Sequence, residues 1–309
     1  MRIIFMGSAG LSCPSLAALL QSRPDELAGV VCQPDRPQGR ELHVAPCAVK
    51  KEAQGAGVPI LTPANVNAPD SVSALRALRP DLIVVVAYGQ ILRAALLEMP
   101  PCGCLNIHAS LLPRYRGAAP IQWAIANGEQ VTGVTAMMMT AALDAGDILL
   151  QREAAIDPED TGLTLHETLG AAGAAVLLET IEGLRNGSVP RRPQNPADAT
   201  YAPKLTKADG KIAWTLSGRQ IHNRVRGFKP WPGCYCTVSG GQALKLLHTR
   251  LEAGDGRPGQ VLDLRGDGPL VAAGDAAVRL LQVQPEGKRP MSGADYARGH
   301  ALRIGDALP

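Results

Sequence analysis

A chain of 309 residues, 46% hydrophobic and 19% charged, is long enough to bury two cores of ordinary size. No window is apolar for long enough to span a membrane, and the opening run Met1–Gly7 is too short for a signal peptide. The seven Cys form an odd set without a secretory context, so reduced thiols in a cytoplasmic protein are expected.

The elements follow in chain order. Arg2–Met6 reads as a strand, Ser15–Ser22 as a helix and Leu27–Cys32 as a second strand. Val58–Leu61 is a short strand, and Ser71–Leu78 is a helix. Asp81–Ala87 (DLIVVVA) is a continuous β-branched run, the pattern of a strand buried on both faces of a parallel sheet. Leu105–His108 is the next strand, Pro120–Asn127 a helix, Thr132–Met139 a strand and Thr164–Arg185 a long helix ending at Asn186-Gly187. Strands alternating with helices predict an α/β domain with a doubly wound, mostly parallel Rossmann-like sheet over residues 1–187.

Residues 188–206 contain a run rich in Pro, Asn and Asp without a period, and they read as a linker. Residues 207–309 offer a helix at Ser217–Arg226. Short strand candidates follow at Gly233–Val238, Ala243–Thr249, Gly259–Asp263, Leu270–Ala273 and Ala277–Val283. Such spacing suggests a small β-barrel. Charge is also split: residues 1–203 hold 15 Lys/Arg and 19 Asp/Glu, whereas residues 204–309 hold 16 and 9. An acidic N-terminal part with a C-terminal excess of +7 points to a polyanionic partner, against the plainer reading of a solubilising surface.

Several segments carry chemistry. Asn106 and His108 stand two apart at the end of an apolar run, so a strand displays both on one face. The plain alternative is a buried pair satisfied by the backbone. Their position at the end of a central strand, where open α/β sheets place ligands, favours the functional reading. Asp144 and Asp147 lie in Leu143-Asp144-Ala145-Gly146-Asp147; either could orient the His108 ring, and spacing does not choose between them. Gly7-Ser8-Ala9-Gly10 is not G-x-G-x-x-G, which argues against a nucleotide-binding oxidoreductase. Cys102-Gly103-Cys104 and Cys234-Tyr235-Cys236 lack the partners of a metal site, so no metal is expected. Arg36, Arg40, Arg114 and Arg116 sit in loops where they could hold phosphates. Arg224, Arg226 and Lys229 lead into Phe228-Lys229-Pro230-Trp231-Pro232, which could stack and charge-pair with single-stranded nucleic acid or could pack in a core.

The run Asn106-Ile107-His108-x-Ser110-Leu111-Leu112-Pro113-x-Tyr115-Arg116-Gly117-Ala118-Ala119-Pro120-Ile121, with Leu143-Asp144-x-Gly146-Asp147, resembles the folate-dependent formyltransferases. Gln33-Pro34-Asp35-Arg36-Pro37-x-Gly39-Arg40, Val85–Gly89, Tyr201-Ala202-x-Lys204-Leu205 and Phe228–Pro232 extend the likeness over nearly the whole chain. They are most similar to the branch acting on methionine-charged initiator tRNA.

The resemblance implies transfer of a formyl group from 10-formyltetrahydrofolate to the α-amino group of methionyl initiator tRNA, in the cytoplasm, for translation initiation. It implies Asn106, His108 and Asp144 as the catalytic set, with no metal and no covalent enzyme intermediate. It implies that Ser110, Leu111, Leu112, Pro113, Val86, Tyr88 and Gly89 line the folate pocket. It further implies tRNA contacts from Arg36, Arg40, Lys204 and Arg226, and an OB-like C-terminal domain. No membrane and no obligate protein partner are expected. The alternative within the same chemistry is a formyltetrahydrofolate hydrolase-type or nucleotide-sugar formyltransferase enzyme. Two departures from the family pattern stand out: Gly7-Ser8-Ala9-Gly10-Leu11 in the first turn, where Gly-Thr-Pro is usual, and Glu41, Leu42 and His43, where lysines often follow Arg40.

Overall fold

Five consecutive β-branched or leucine side chains, Leu82–Val86, are all buried and form the centre of the N-terminal sheet. Burying each such side chain contributes about 1.5–3 kcal/mol, which is why an unbroken apolar run settles between two helical layers. The computed structural model describes residues 1–22, 27–38, 43–238 and 241–308.

In chain order the elements are β1 (Ile3–Gly7), α1 (Cys13–Ser22), β2 (Leu27–Val31), β3 (Arg36–Gln38), β4 (His43–Ala45) and α2 (Ala48–Ala53). Then come β5 (Ile60–Leu61), α3 (Pro69–Ala77), β6 (Leu82–Val86), α4 (Ala94–Leu97), β7 (Cys104–His108), β8 (Arg116–Gly117) and α5 (Pro120–Ala126). Next are β9 (Val131–Met138), β10 (Ile148–Ala155), α6 (Gly162–Asn186), β11 (Tyr201–Ala202) and α7 (Gly218–Gly227). The chain ends with β12 (Cys234–Thr237), β13 (Ala243–Glu252), β14 (Val261–Asp263), β15 (Leu270–Ala272), β16 (Ala277–Pro285), β17 (Met291–Ser292) and α8 (Gly293–Gly299).

The main sheet has the order β10-β9-β7-β6-β1-β2-β5. From β7 to β5 the pairings are parallel; β9 is antiparallel to both β7 and β10. The sheet is therefore mostly parallel, as the sequence predicts, with an antiparallel edge. Strand β10 has no counterpart among the expected elements, because its outer half carries Gln151, Arg152 and Glu153 rather than an apolar run. An edge strand needs only one covered side, so its pattern is weak. Its presence matters, because the β9–β10 connection carries Asp144.

Two compact units emerge. One comprises Met1–Gly117, Val131–Ala155 and His166–Ala202; the other comprises Ala118–Gln130, Ile156–Leu165 and Pro203–Pro309. This differs from the chain-order division at residues 187 and 206. Residues 188–202, expected as linker, belong to the first unit. Within the second unit α5 lies against α7: Trp123 meets Phe228 edge-on at 5.3 Å and donates through Nε1 to the Pro203 carbonyl at 2.9 Å. A Cβ on Gly227 would stand 2.8 Å from the Gln122 carbonyl oxygen, so the close approach of these helices requires glycine there.

The second unit holds an antiparallel sheet in the order β12-β13-β16-β15-β14, with β17 on β16. All five expected strand segments are present. Helix α7 starts at a capping box, in which Ser217 Oγ accepts from Gln220 N at 3.1 Å and Gln220 Oε1 accepts from Ser217 N at 3.0 Å. Ile221, Val225 and Phe228 from this helix join Leu244, Leu246, Val278 and Leu280 in one core. Among the described residues no helix is long and apolar enough to cross a membrane.

Candidate active site

Asn106 and His108 project from the same face of β7, opposite Met137 and Thr135 on β9. His108 is 7% exposed. Its Nε2 lies 2.9 Å from the Tyr115 carbonyl oxygen. A carbonyl only accepts, so the proton of the neutral ring sits on Nε2. Nδ1 is then the nitrogen left for chemistry, 3.8 Å from Asp144 Oδ2. The Asn106 amide has no hydrogen-bond partner among the described residues, which leaves its donors free for a ligand.

Asp144 reaches this face because the β9–β10 connection folds back across it. Met139 N still bonds the Cys104 carbonyl at the start of β7, yet Asp144 meets His108 at its end. Asp144 Oδ2 also accepts from Gly117 N at 2.8 Å. Asp147 makes no such contact; its backbone carbonyl closes the hairpin by accepting from Met138 N at 2.9 Å. Of the two acids that sequence spacing left open, Asp144 is the one whose carboxylate stands beside His108. Asp144 has φ 47°, Tyr115 59° and Ala87 44°, so three left-handed non-glycine residues lie in the loops around these strand ends. Such conformations cost about 1–3 kcal/mol each and persist where surrounding structure imposes them.

A polar web fixes the loop after β7. Thr135 Oγ1 donates to the Ser110 carbonyl at 2.6 Å and accepts from Leu112 N at 3.1 Å. Gln151 Nε2 donates to the Leu112 carbonyl at 2.9 Å and to Thr135 Oγ1 at 3.0 Å. Ser110 is fully buried, and its hydroxyl donates to the Arg114 carbonyl at 2.6 Å. Ser110 and Leu112 thus shape the loop from inside, while Leu111 and Pro113 are half-buried at its surface.

The neighbouring strand end is built similarly. Val86 and Tyr88 are buried, whereas Ala87 and Gly89 (φ 85°) are exposed. Burial pushes the Tyr88 phenol up to about 12, and its hydroxyl has no partner among the described residues. The Tyr88 carbonyl accepts from Ser8 Oγ at 3.1 Å and Gln33 Nε2 at 3.2 Å. Gly7-Ser8 therefore ties three strand ends together in place of a phosphate-binding turn.

The basic residues divide sharply. Arg36 is exposed on β3 and bonds Gln33 Oε1. Arg40 lies outside the described residues. Lys204 is exposed. Arg226 is turned inward: its guanidinium donates to the carbonyls of Asp160 at 2.6 Å and Asp157 at 3.3 Å, and to Asn223 Oδ1 at 3.0 Å. Burial lowers its pKa, and Nε is buried without a partner. Arg226, expected to contact tRNA, is half-buried, and these donors are engaged within the protein. Arg116 likewise is 7% exposed and bonds Gln194 rather than offering itself to phosphate. Trp231, in contrast, is 54% exposed, which excludes the core role.

Among the described residues no group of three or more His, Cys, Asp or Glu is arranged to hold a metal ion. Burial pushes the thiols of Cys104, Cys234 and Cys236 up to about 12, so they pack as small apolar side chains. Three supporting residues had no sequence signal of their own: Thr135, Gln151 and Gln194.

Residues 1–181 match the family described as formyl transferase, and residues 204–301 match the formyl transferase C-terminal domain. A curated methionyl-tRNA formyltransferase from Geobacter metallireducens is 46% identical over 308 residues, covering 100% of this chain and 98% of the relative. The chain belongs to the methionyl-tRNA formyltransferase family. Another member, from Synechococcus sp., is 45% identical over 316 residues and covers 99% of this chain and 97% of its own length. Among solved structures, the sugar 3N-formyl transferase WlaRD superposes with a TM-score of 0.68 at 19% identity, covering 94% of this chain and 99% of that one. HypX from Aquifex aeolicus in complex with tetrahydrofolic acid gives 0.64 at 19% identity, covering 98% of this chain and 48% of that one. At these identities the likeness carries the fold and not the substrate.

Proposed function

We infer that this chain transfers the formyl group of 10-formyltetrahydrofolate to the α-amino group of methionyl initiator tRNA, in the cytoplasm where translation begins. The observation that carries the reading is the full-length likeness to methionyl-tRNA formyltransferases, which spans the C-terminal unit as well as the α/β unit. Sugar formyltransferases share the fold, and no feature of this chain favours their substrates.

In this reading the α-amino nitrogen attacks the formyl carbon, and the bond from that carbon to the folate N10 breaks. Negative charge gathers on the formyl oxygen between these events. In this reading the Asn106 amide, which has no other hydrogen-bond partner among the described residues, donates to that oxygen. His108 donates through Nδ1 only as the imidazolium, because Nε2–H is committed to the Tyr115 carbonyl. The Asp144 carboxylate at 3.8 Å supplies its counter-charge. A proton leaves the amine through this pair, directly or by one water, and the departing N10 gains one. No covalent enzyme intermediate is required, since the folate already carries the formyl group.

The donor pocket in this reading uses the exposed turn at Ala87–Gly89 and the surface of Leu111 and Pro113. Val86, Tyr88, Ser110 and Leu112 shape that wall from beneath. The tRNA is held by Arg36, Arg40 and Lys204, with Trp231 as an exposed stacking surface in the basic C-terminal part. Arg226 contributes by holding the fold.

The test is a radiolabel transfer assay with labelled 10-formyltetrahydrofolate and three acceptors: methionyl-tRNA, an amino-sugar nucleotide and water. Label is expected on methionyl-tRNA. Label on the sugar, or free formate at an equal rate, overturns the reading.

A further inference from the structure

The loop that presents Asp144 is long and its tip is solvent-exposed from Thr140 to Leu143. Holding such a loop in one conformation opposes its backbone entropy, so something must fix it. What holds it lies in the segment expected to be a linker. Gln194 Nε2 donates to the carbonyl of Asp144 at 2.9 Å and to that of Gly146 at 2.8 Å. Its Oε1 accepts from Arg116 Nε at 3.1 Å and Nη2 at 2.6 Å. The Arg116 fork donates only, so it fixes which end of the amide is oxygen and turns Nε2 toward the loop.

Gln194 is itself anchored on both sides. Arg192 and Ile148 exchange backbone hydrogen bonds at 2.8 and 2.9 Å. Downstream, Thr200 accepts from Arg116 N at 2.8 Å and from Tyr115 N at 2.9 Å, and β11 pairs with β8. The clamp thus stands on a rigid platform whose other side, Tyr115, also supplies the carbonyl that orders the His108 ring.

We propose that Gln194 is a positioning residue for formyl transfer: it sets where Asp144 stands relative to His108, through the two backbone carbonyls of the Asp144 loop. Resting on the catalytic reading of Asp144, it adds a residue that touches neither substrate. The glutamine amide is suited to the task, because one planar group accepts twice from Arg116 while donating twice to the loop.

The consequence is a loss in kcat with little change in KM. In the full-length protein, Gln194→Ala is expected to lower kcat by about 10- to 100-fold, the scale of a misplacement near 1 Å. KM for 10-formyltetrahydrofolate and for methionyl-tRNA should stay within about 3-fold, since the substrate-facing surfaces are untouched. Gln194→Glu keeps the acceptor for Arg116 but loses both donors to the loop, so it should show the same kcat loss in a chain that still folds. Introduced into Asp144→Asn, Gln194→Ala should cost less than about 2-fold more, because a residue acting through Asp144 has nothing left to position. Additive losses in that double variant overturn the proposal. So does wild-type kcat in both Gln194 variants while Asp144→Asn is inactive, an outcome that leaves the catalytic reading standing. If Asp144→Asn itself turns over normally, the reading fails and takes the proposal with it.

Discussion

His108 and Asp144 face each other at 3.8 Å between Nδ1 and Oδ2, while the far nitrogen of the ring is bonded to the Tyr115 carbonyl. The ring is therefore held at one end by a neutral acceptor and addressed at the other by a carboxylate. This leaves a single nitrogen both to receive a proton and to donate one. His108→Ala should reduce formyl transfer by about 10²–10⁴-fold, the usual contribution of a positioned acid–base group. Asn106→Ala should cost about 10²–10³-fold, as for loss of one oxyanion donor. Binding of methionyl-tRNA by filter retention should be unchanged in both. Near-normal turnover in either variant refutes the assigned role.

Gly146 leaves no room for a side chain. A Cβ there would stand 1.7 Å from the Met138 carbonyl oxygen, which is backbone and cannot swing aside. Gly146→Ala must displace the loop by about an ångström, and turnover should drop by about 10²-fold while the core survives. The melting transition and single-turnover rate together check this. Unaltered turnover would mean that the loop is not held as the hydrogen bonds imply.

Arg226→Ala should act on stability before it acts on tRNA. It strips the half-buried Asp160 carbonyl and Asn223 Oδ1 of their donors, at about 0.5–1.5 kcal/mol for each hydrogen bond lost. A lowered denaturation midpoint is expected, with tRNA affinity per folded molecule little changed. A pure affinity loss at constant stability contradicts the inward placement.

Lys204→Glu should weaken tRNA binding and reduce the steepness of its salt dependence by about one unit of slope, as for one phosphate contact. Trp231→Ala should weaken binding by about 1–3 kcal/mol with the salt slope kept, since stacking releases no counterions. Titrations at several salt concentrations separate the two. Identical salt effects in both variants would falsify the division of labour.

Burial lowers the pKa of both His166 and His222 from the model-peptide value of 6.5. For His222 the neighbouring Arg226 adds to the effect, and its Nδ1 lies 3.0 Å from Thr249 Oγ1. The folded state holds these rings neutral, whereas the unfolded chain protonates them near their ordinary value. Their stabilisation is complete above about pH 6.5 and is lost as pH falls toward the depressed folded values. Melting temperature should decline between pH 7 and pH 5, and less steeply in a His166→Gln, His222→Gln double variant. An equal slope in that variant would exclude both groups.

Much of this molecule is local in origin. The period of two puts Asn106 and His108 on one face whatever surrounds them, because strand geometry alternates side chains. Leu82–Val86 reads as a two-sided strand because all five side chains are apolar. Ser217 and Gln220 mark the start of α7 because a capping box is closed within four residues. None of these depends on distant parts of the chain.

The choice of Asp144 over Asp147, the inward turn of Arg226 and the clamp by Gln194 were decided only in three dimensions. These contacts join residues 27, 66 and 50 positions apart. Residues near in sequence obey backbone dihedrals, which composition reveals. Partners that far apart meet only when packed elements carry them together. A glutamine in a polar, aperiodic segment gives no sign of which two carbonyls it will find. The same holds for residues 118–130 and 156–165, whose apolar and turn patterns fit either unit until α7 supplies the surface they cover.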